Sequence, residues 1–333
     1  MGGLALAHCT RRFEAGEYYE VADKALQILE KLFPCAKVRV IKAYRDKPSF
    51  GDLDILLESD CLPPFWIDRV SEAFNSKDST KNGNALSTEF REMQVDIIAT
   101  KSNEFESSYQ YFNYNDLGNL VGRVAHSMGL KLGHDGLTYK FMGAERYVFK
   151  EIKLLDDWEQ ILPVLGYDYA RWAEGFNTLE DIFEFVVSSP FFNKSIYALE
   201  NRNHAARTRD QKRKTYMEFL EWLESYEETN TQNAQKYMDR LDYIGNKIPS
   251  FWEQHDATVA EFEQAQEYKK RFNGELVSQW TGLKTQELGK FMKWLKAERE
   301  ETRWKKDVIT VNPELVERLV VYYFEKYTAT LEN

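Results

Sequence analysis

The stretch that most constrains the fold is residues 51–57, Gly-Asp-Leu-Asp-Ile-Leu-Leu. In a β-strand the side chains alternate between two faces, so Asp52 and Asp54 lie on one face and the intervening aliphatic side chains on the other. The apolar face predicts a strand that is buried in a core. The acidic face brings two like charges close together, which is unfavourable unless water or a cation compensates for them.

A third carboxylate, Asp96, stands in a comparable stretch, residues 93–98, with the sequence Met-Gln-Val-Asp-Ile-Ile. If the two strands are neighbours, three carboxylates converge, and such a group suits hard divalent cations, since Mg²⁺ favours carboxylate and phosphate oxygens. Two ions at one site can activate a hydroxyl and stabilise a leaving oxygen in phosphoryl transfer. The pattern predicts a catalytic site with two Mg²⁺ or Mn²⁺ ions. The alternative is an ordinary strand start plus a solvated edge carboxylate.

Composition limits the class of protein. The chain has 333 residues, enough for about two domains, and its formal net charge of −10 is the wrong sign for general nucleic-acid binding. Nucleic-acid contacts therefore require a local basic patch. Its three cysteines, Cys9, Cys35 and Cys61, form no metal-binding pair. No apolar run reaches the ~18 residues of a membrane span, so we expect a monomeric cytoplasmic protein without a membrane segment.

Hydrophobic periodicity predicts an α+β fold, with an N-terminal mixed-sheet domain followed by an all-helical C-terminal domain. Predicted elements are a helix over 18–33, strands over 38–41, 53–57 and 93–98, and helices over 211–226 and 256–272. Residues 75–88 are polar and predict a hairpin loop or a mobile insertion. The period becomes helical from Asp116, with almost no strand signal beyond residue 151. The resemblances described below imply three segments: 1–104 as a catalytic palm domain, 105–150 as a nucleotide-binding segment, and 151–333 as a helical nucleic-acid-binding domain.

Residues 44–56, Tyr-Arg-Asp-Lys-Pro-Ser-Phe-Gly-Asp-Leu-Asp-Ile-Leu, resemble the palm of the family X DNA polymerases. That family's pattern runs Gly-Ser-x-Arg-Arg-Gly, four further residues, and then Gly-Asp-x-Asp. The resemblance implies a polymerase β-like nucleotidyltransferase fold in which the three aspartates bind metal. It also implies that Arg45 and Gly51 contribute to nucleotide binding, with Arg45 at the phosphates.

A second stretch, residues 111–129, resembles the segment of the same family that begins Tyr-Phe-Thr-Gly and continues into a helix over the nascent base pair. Five positions coincide: Tyr111 and Phe112 would lie at the sugar, Asp116 and Asn119 near the incoming base, and Arg123 against the template strand. Asp116, Asn119 and Arg123 stand at i, i+3 and i+7, so they share one helical face.

The chain also departs from that family. Ile41-Lys42 replaces the phosphate-binding Gly-Ser, and Lys42 supplies charge without the close backbone approach that glycine allows. Asn113-Tyr114 replaces Thr-Gly, so the family's sugar discrimination does not carry over. The resemblance covers about residues 18–150, which is less than half of the chain.

The C-terminal half has a different resemblance. Residues 273–296 are similar to the tail segment of bacterial-type CCA-adding tRNA nucleotidyltransferases and related poly(A) polymerases. The matching positions are Gly274, Leu276, Gly282, Leu283 and Gly289, whereas the Pro-Gly of that pattern is missing. The alternative is a glycine-punctuated helix–turn–helix without that function.

Nucleic acid is expected to bind residues 194–214, where seven basic residues stand against two acidic ones and aromatic residues are interleaved. Basic groups beside aromatic rings suit a phosphate backbone with stacked bases, whereas a solvated helix face is the alternative. The predicted contacts are Arg202, Arg207, Arg209, Lys212, Arg213 and Lys214.

These observations predict a two-metal nucleotidyltransferase that transfers nucleotides from NTP or dNTP to a nucleic-acid 3′ end. The helix with Asp116, Asn119 and Arg123 favours a templated, DNA-polymerase-like reaction. The helical C-terminal half favours CCA-type or untemplated addition to RNA. Nucleotidyl transfer to a protein or a small molecule, and a module that only binds, remain open alternatives.

Overall fold

The structure is a computed structural model, and it describes residues 5–6, 10–143, 147–227 and 240–331. Its helices and strands form an α+β fold, which confirms the predicted class. Two compact units are present: unit 1 comprises Met1–Lys140 and Glu151–Phe251, and unit 2 comprises Phe141–Lys150 and Trp252–Asn333. These units do not follow the boundary predicted at residue 151, because helices as far as Phe251 share one core with the segment before it.

A five-stranded mixed sheet organises the N-terminal part of unit 1. Its strands are β2 (Val38–Val40), β4 (Asp52–Glu58), β5 (Ser79–Asn82), β6 (Ala85–Phe90) and β7 (Met93–Thr100). The order across the sheet is β2-β4-β7-β6-β5, in which β4 and β7 are parallel and the other neighbours antiparallel. The predicted strands at 38–41, 53–57 and 93–98 are thus confirmed, and the polar segment 75–88 contributes to the β5–β6 hairpin.

One face of this sheet is covered by α1 (Ala15–Leu32) and α2 (Trp66–Ala73). Helix α1 confirms the helix predicted over 18–33, and it ends just before Pro34, which cannot continue a helix. Tyr18 of α1 stacks on Phe50 with ring centroids 3.7 Å apart. Phe50 belongs to β3 (Ser49–Phe50), which pairs with β1 (Phe13–Glu14). This short pair fixes the chain just before the Asp52–Asp54 segment.

The other face of the sheet is covered only in part. Helix α3 (Phe105–Phe112) packs there through Phe105, which is fully buried with Leu56 and beside Ile41. Leu56 points to the same side as Asp52 and Asp54, since it follows at i+4 and i+2 in the strand. The acidic end of β4 therefore lies beyond the apolar contact that α3 makes with its middle.

A second, three-stranded sheet was not predicted. It follows α4 (Leu117–Ser127) and consists of β8 (Leu130–Gly133), β9 (Gly136–Met142) and β10 (Val148–Leu155), in the order β10-β9-β8. The prediction of helical structure from Asp116 onwards is correct for α4 but wrong for residues 130–142 and 148–155. Strand β8 has only four residues, and its hairpin with β9 is closed by the pair Gly133 and Gly136, so the alternation in β8 is brief. Strands β9 and β10 have seven and eight residues.

The helical part of unit 1 shares a core with α4 and this sheet. Its helices are α5 (Trp158–Val164), α6 (Tyr169–Glu174), α7 (Leu179–Val187), α8 (His204–Gln211), α9 (Lys214–Ser225) and α10 (Arg240–Lys247). Trp158, Phe185 and Phe219 are fully buried in this core. The helix predicted over 211–226 corresponds to the end of α8, a break, and α9.

Unit 2 is mainly helical: α11 (Phe251–Arg271) leads into α12 (Gly274–Thr281), α13 (Thr285–Glu298), α14 (Glu301–Thr310) and α15 (Pro313–Leu331). Helix α11 confirms the helix predicted over 256–272. Phe291, Trp304 and Val320 lie at the centre of its core and are fully buried. The segment Phe141–Lys150, at the end of the β9–β10 hairpin, also belongs to unit 2. The ring centroids of Phe149 and Phe262 lie 5.1 Å apart in an edge-to-face arrangement.

Two expectations from composition concern membrane-spanning helices and the cysteines. None of the helices within the described residues combines the length and the apolar character that a membrane span requires. Cys35 and Cys61 are exposed free thiols, whereas Cys9 lies outside the described residues. Neither cysteine that is described contributes to a metal-binding group.

Gly136 provides a test of the unpredicted sheet. Its φ is +110°, and a Cβ there would overlap the carbonyl oxygen of Leu155 and lie 2.9 Å from the Cα of Asp156. We expect Gly136→Ala to lower the free energy of unfolding by about 3 kcal/mol, since a disfavoured backbone conformation and a clash act together. Denaturant titration followed by tryptophan fluorescence measures this loss.

The matched control is Gly83→Ala. Gly83 also has a positive φ, +62°, but nothing lies within 4 Å of the added Cβ. Its cost should be limited to about 1 kcal/mol of backbone strain. Equal losses for the two variants would contradict the close approach at Gly136.

Candidate metal centre

Three carboxylates converge at the junction of β4 and β7. The parallel pairing places Asp54 directly beside Asp96, and Asp52 beside Gln94. Side chains at paired positions of neighbouring strands point to the same face. One oxygen from each of Asp52, Asp54 and Asp96 lies within 4.8 Å of the other two, so the predicted convergence is confirmed. Among the described residues, no other group of acidic, histidine or cysteine side chains meets this condition.

The chemistry of these donors suits a metal ion. All three ligands are carboxylates on half-buried side chains, so the site offers only hard oxygen donors. Hard divalent cations such as Mg²⁺, Mn²⁺ and Ca²⁺ bind through oxygen donors of this kind. The three aspartates could therefore hold a metal ion between the two strands.

Electrostatic repulsion raises the proton affinity of this site. Burial, the charge of Asp52 and the charge of Asp96 raise the pKa of the Asp54 carboxyl well above its ordinary range. Burial and the charge of Asp96 also raise the pKa of Asp52, against the opposing effect of Lys47 and Arg12. Without a cation, the site therefore binds protons to reduce its own negative charge.

Gln94 holds the third carboxylate in place, and the sequence interpretation missed it. Its buried side-chain amide donates hydrogen bonds to both oxygens of Asp96, at 2.9 and 3.1 Å. Its own oxygen accepts the backbone N–H of Ala5 at 3.0 Å. Gln94 stands two residues before Asp96 on the same strand, so the period of two could have placed it on the acidic face.

Two basic residues near the aspartates, Lys47 and Arg12, were also missed by the sequence interpretation. The charges of Asp52 and Asp54 act on the ammonium of Lys47, which lies 4.6 Å from the centroid of the Phe50 ring. Burial lowers the pKa of Lys47, and these two carboxylates oppose that shift. Arg12 hydrogen-bonds to the Ser49 side chain at 2.9 Å. Lys47 stands in the same loop as the aspartates, whereas no local pattern links Arg12 to them.

The predicted phosphate contacts lie near the segment that precedes β4. Arg45 is exposed, and its guanidinium donates to the side chain of Asn177 at 2.7 Å and to the carbonyl of Glu174. Lys42 is also exposed, while its backbone bonds to the Asn113 side chain and to Tyr114. Gly51 is buried between β3 and β4. Nucleotide binding by these residues stays a prediction.

The predicted sugar contacts lie at the end of α3, and the predicted base contacts lie at the start of α4. Tyr111 and Phe112 are half-buried, with ring centroids 5.4 Å apart. Asp116 is not free, because it forms an ion pair with Arg213. Asn119 has a buried amide nitrogen that lacks a hydrogen-bond partner. Of these four residues, Asn119 alone offers an unmatched buried donor.

Arg123 does not present its charge to solvent. Its side chain is only 10% exposed, and its guanidinium donates to both oxygens of the fully buried Asp210, at 2.9 and 3.1 Å. Arg202, which is 13% exposed, lies 3.3 Å from the same carboxylate. Helix α8 thus docks on α4 through a buried ionic cluster. In this arrangement neither arginine is available to a nucleic acid, in contrast to the sequence prediction.

The remaining predicted cations divide into two groups. Arg213 is occupied by Asp116, and Arg209 lies 3.8 Å from Asp210 while remaining 60% exposed. Lys212 is exposed and Arg207 half-buried. Lys214 is exposed at the start of α9. Its charge contributes to the lowered pKa of Lys47, which lies beside the aspartates. The exposed basic patch is therefore narrower than predicted and centres on Arg209, Lys212 and Lys214.

Comparison with known proteins provides no family for this chain. No protein-family model and no curated protein sequence matches it. The resemblance to nucleotidyltransferases thus depends on the short stretches described above.

The proton affinity of the aspartates predicts a pH effect in metal-free protein. A raised native pKa contributes stability that is complete below the ordinary carboxyl value of about 3.9 and is lost as the pH rises through the native pKa. Asp54→Asn removes this loss. We expect the variant to melt roughly 3 °C or more above the native protein at pH 8, with a smaller difference at pH 5. Thermal unfolding in EDTA measures the difference in melting temperature at both pH values.

Asp23→Asn serves as the control for this experiment, since Asp23 is an exposed carboxylate on α1. Its melting temperature should follow that of the native protein at both pH values. A difference between Asp54→Asn and native protein that is the same at pH 5 and pH 8 would contradict the raised pKa.

The buried ionic cluster predicts a large loss of stability for Asp210→Ala. This change leaves Arg123 and Arg202 without a carboxylate in a buried position, which should cost about 3–5 kcal/mol of unfolding free energy. Glu184→Ala is the control, because it removes only an exposed partner of Arg171 and should cost less than about 1 kcal/mol. If urea titrations gave equal losses of unfolding free energy for the two variants, the cluster would not support the fold.

Proposed function

We propose that this protein is a metal-dependent nucleotidyltransferase that adds nucleoside monophosphates from NTP or dNTP to the 3′-hydroxyl of a nucleic acid. The observation that carries the proposal is the convergence of Asp52, Asp54 and Asp96 on paired parallel strands. Phosphoryl transfer needs oxygen donors that hold divalent ions beside the reacting phosphate. The finer fold assignment, a polymerase β-like palm followed by a helical domain, belongs to the same proposal.

The aspartates have distinct roles in this scheme. Asp52 and Asp54 would hold both ions, and Asp96, oriented by Gln94, would complete the set of carboxylates beside the attacking hydroxyl. Bound Mg²⁺ or Mn²⁺ would supply charge that favours deprotonation of this hydroxyl and stabilises the leaving oxygen. The carboxylate repulsion described above makes the empty arrangement unfavourable, so binding of cations should relieve it.

Cations of the chain complement the triphosphate. Lys47 and Arg12 lie beside the aspartates, and Arg45 presents an exposed guanidinium held by Asn177. A guanidinium suits planar, bidentate recognition of phosphate, and an ammonium acts as a compact point charge. We assign these three residues to the phosphates of the nucleotide. The resemblance implies Arg45 alone among them, and Lys47 and Arg12 are added here.

The acceptor is a nucleic-acid end, on the basis of the exposed cations Arg209, Lys212 and Lys214. The charge of Lys214 acts on Lys47, so the start of α9 lies near the surroundings of the aspartates, although Lys214 also pairs with Glu218 at 3.4 Å. A polyanion that lies along these residues would bring its 3′ end towards the carboxylates. The favoured reaction is extension of a primer, as in the family X DNA polymerases.

Untemplated or CCA-type addition to RNA is the second candidate, and one observation favours it. Arg123 and Asp116, which would contact the template and the incoming base, are both engaged by residues of the same unit. A reaction without a template needs no such contacts. The choice between the two candidates therefore depends on which acceptor is extended.

Removal of a carboxylate should abolish catalysis without unfolding the protein. We expect Asp54→Ala and Asp96→Ala to reduce nucleotide addition by at least about a thousandfold, because the loss of a ligand removes several kcal/mol of transition-state stabilisation. The melting temperature of Asp54→Ala should not fall, since mutual repulsion is removed. Asp96→Ala also removes the acceptor of the buried Gln94 amide, so its melting temperature should lie below that of Asp54→Ala. The measurement is Mg²⁺- or Mn²⁺-dependent extension of a labelled primer on a gapped template.

The acceptor is determined in parallel reactions with all dNTPs and NTPs on primer–template DNA and on tRNA lacking its 3′ end. Asp23→Ala is the control, since it removes an exposed carboxylate from α1 and should retain full activity. Template-directed products support the polymerase, and tails or extended tRNA support the second candidate. Addition that is unimpaired in Asp54→Ala would refute the two-metal proposal.

A further inference from the structure

Unit 2 contains a helix–turn–helix that the proposed reaction does not use. Helix α12 begins after Asn273, whose side chain caps it, and ends at Gly282, which has a φ of +75°. Residues 282–284 form the turn into α13. Val277 of α12 and Phe291 of α13 are fully buried in one core, so both helices are fixed by packing. Two helices joined by a short glycine-containing turn are a common frame for DNA binding.

The solvent side of α13 carries one row of residues that includes lysines and no acidic residue. Its members are exposed and follow helical spacing: Gln286, Gly289, Lys290, Lys293 and Ala297. The exposed Glu287 and Glu298 lie outside this row. Lys284 is exposed in the turn before the helix. From residue 284 to residue 296 there are four lysines and one acidic residue, in a chain whose net charge is −10. The positive charge is therefore a local departure from the overall composition.

Most of these lysines lack an internal partner. Within the described part of the chain, no ion pair is formed by Lys284, Lys290 or Lys293, and Lys296 lies 3.9 Å from Glu301. Lys305 of α14, in contrast, pairs with Glu301 at 3.1 Å, while the exposed Lys269, Lys270, Lys306 and Lys326 lie on other helices and outside this row. Uncompensated cations in a row favour a polyanion, because its bound counterions are released on contact.

Gly289 has no structural reason to be glycine. It lies inside α13, where glycine is unfavourable relative to alanine. Nothing lies within 4 Å of a Cβ built at this position, so packing of the protein does not exclude a side chain. A glycine on an exposed helical row instead permits close approach of another backbone.

We propose that the α13 face, defined as Lys284, Gln286, Gly289, Lys290 and Lys293, binds double-helical DNA. A helix of about 10–12 Å diameter fits the B-form major groove, which is about 12 Å wide. The deep, narrow major groove of an RNA duplex does not admit it. Gln286 near the helix start faces the base edges, and the lysines contact phosphates. This inference does not depend on nucleotidyl transfer, because it concerns binding alone.

The test is fluorescence anisotropy of a labelled 24-base-pair DNA duplex with the full-length protein, without nucleotide or divalent metal. We expect Lys290→Ala combined with Lys293→Ala to weaken binding roughly tenfold and to reduce the slope of log affinity against log salt by about 2. Gly289→Glu should also weaken binding by adding negative charge and bulk. Its melting temperature should not fall, because glutamate favours the helix more than glycine does.

The matched control is Lys24→Ala combined with Lys31→Ala, which removes two exposed lysines from one helix of unit 1. This variant has the same net charge as the double lysine variant of α13, and its affinity should remain that of the native protein. The inference is overturned if native protein does not bind the duplex. It is equally overturned if the control loses as much affinity as the α13 variants, or if an RNA duplex of the same sequence binds more tightly than DNA.

Discussion

The parallel pairing of β4 and β7 is the constraint on which the candidate metal centre depends. Leu53 and Ile55 of β4 and Val95 and Ile97 of β7 are fully buried on the side opposite the aspartates. A slip of one residue would turn these side chains to the other face, so apolar burial fixes the register. The carboxylates cannot separate to relieve their repulsion. Protons, nearby cations or a bound metal ion must compensate for this repulsion.

Much of this centre was predictable from the sequence, because the period of two in a strand decides which side chains share a face. Asp52 and Asp54 had to point the same way once Leu53 and Ile55 were buried. The position of Asp96 followed from its similar context, although alternation alone does not make β4 and β7 neighbours. Gln94 and Lys47 were accessible to the same reasoning, but an amide and a lysine carry no distinct sequence signal.

The periodicity of α4 shows where such reasoning fails. The spacing of Asp116, Asn119 and Arg123 predicts a shared face, but it does not say what covers that face. Arg123 is buried on Asp210, which is 87 residues away in sequence. The strands β8, β9 and β10 were missed for a different reason. Strand β8 has only four residues, too few for a period to be recognised. Strand β9 alternates Leu137, Tyr139 and Phe141 with Thr138 and Lys140, a pattern that the sequence interpretation overlooked.

The interleaving of the two units along the chain has an evolutionary consequence. Unit 2 takes the hairpin segment Phe141–Lys150 from within unit 1, so the chain passes between the units three times. A cut after Phe251 would remove Phe262, whose ring centroid lies 5.7 Å from that of Phe141 and 5.1 Å from that of Phe149. A descendant that lost the C-terminal helices by a terminal deletion would therefore keep a hairpin whose two rings lack this contact.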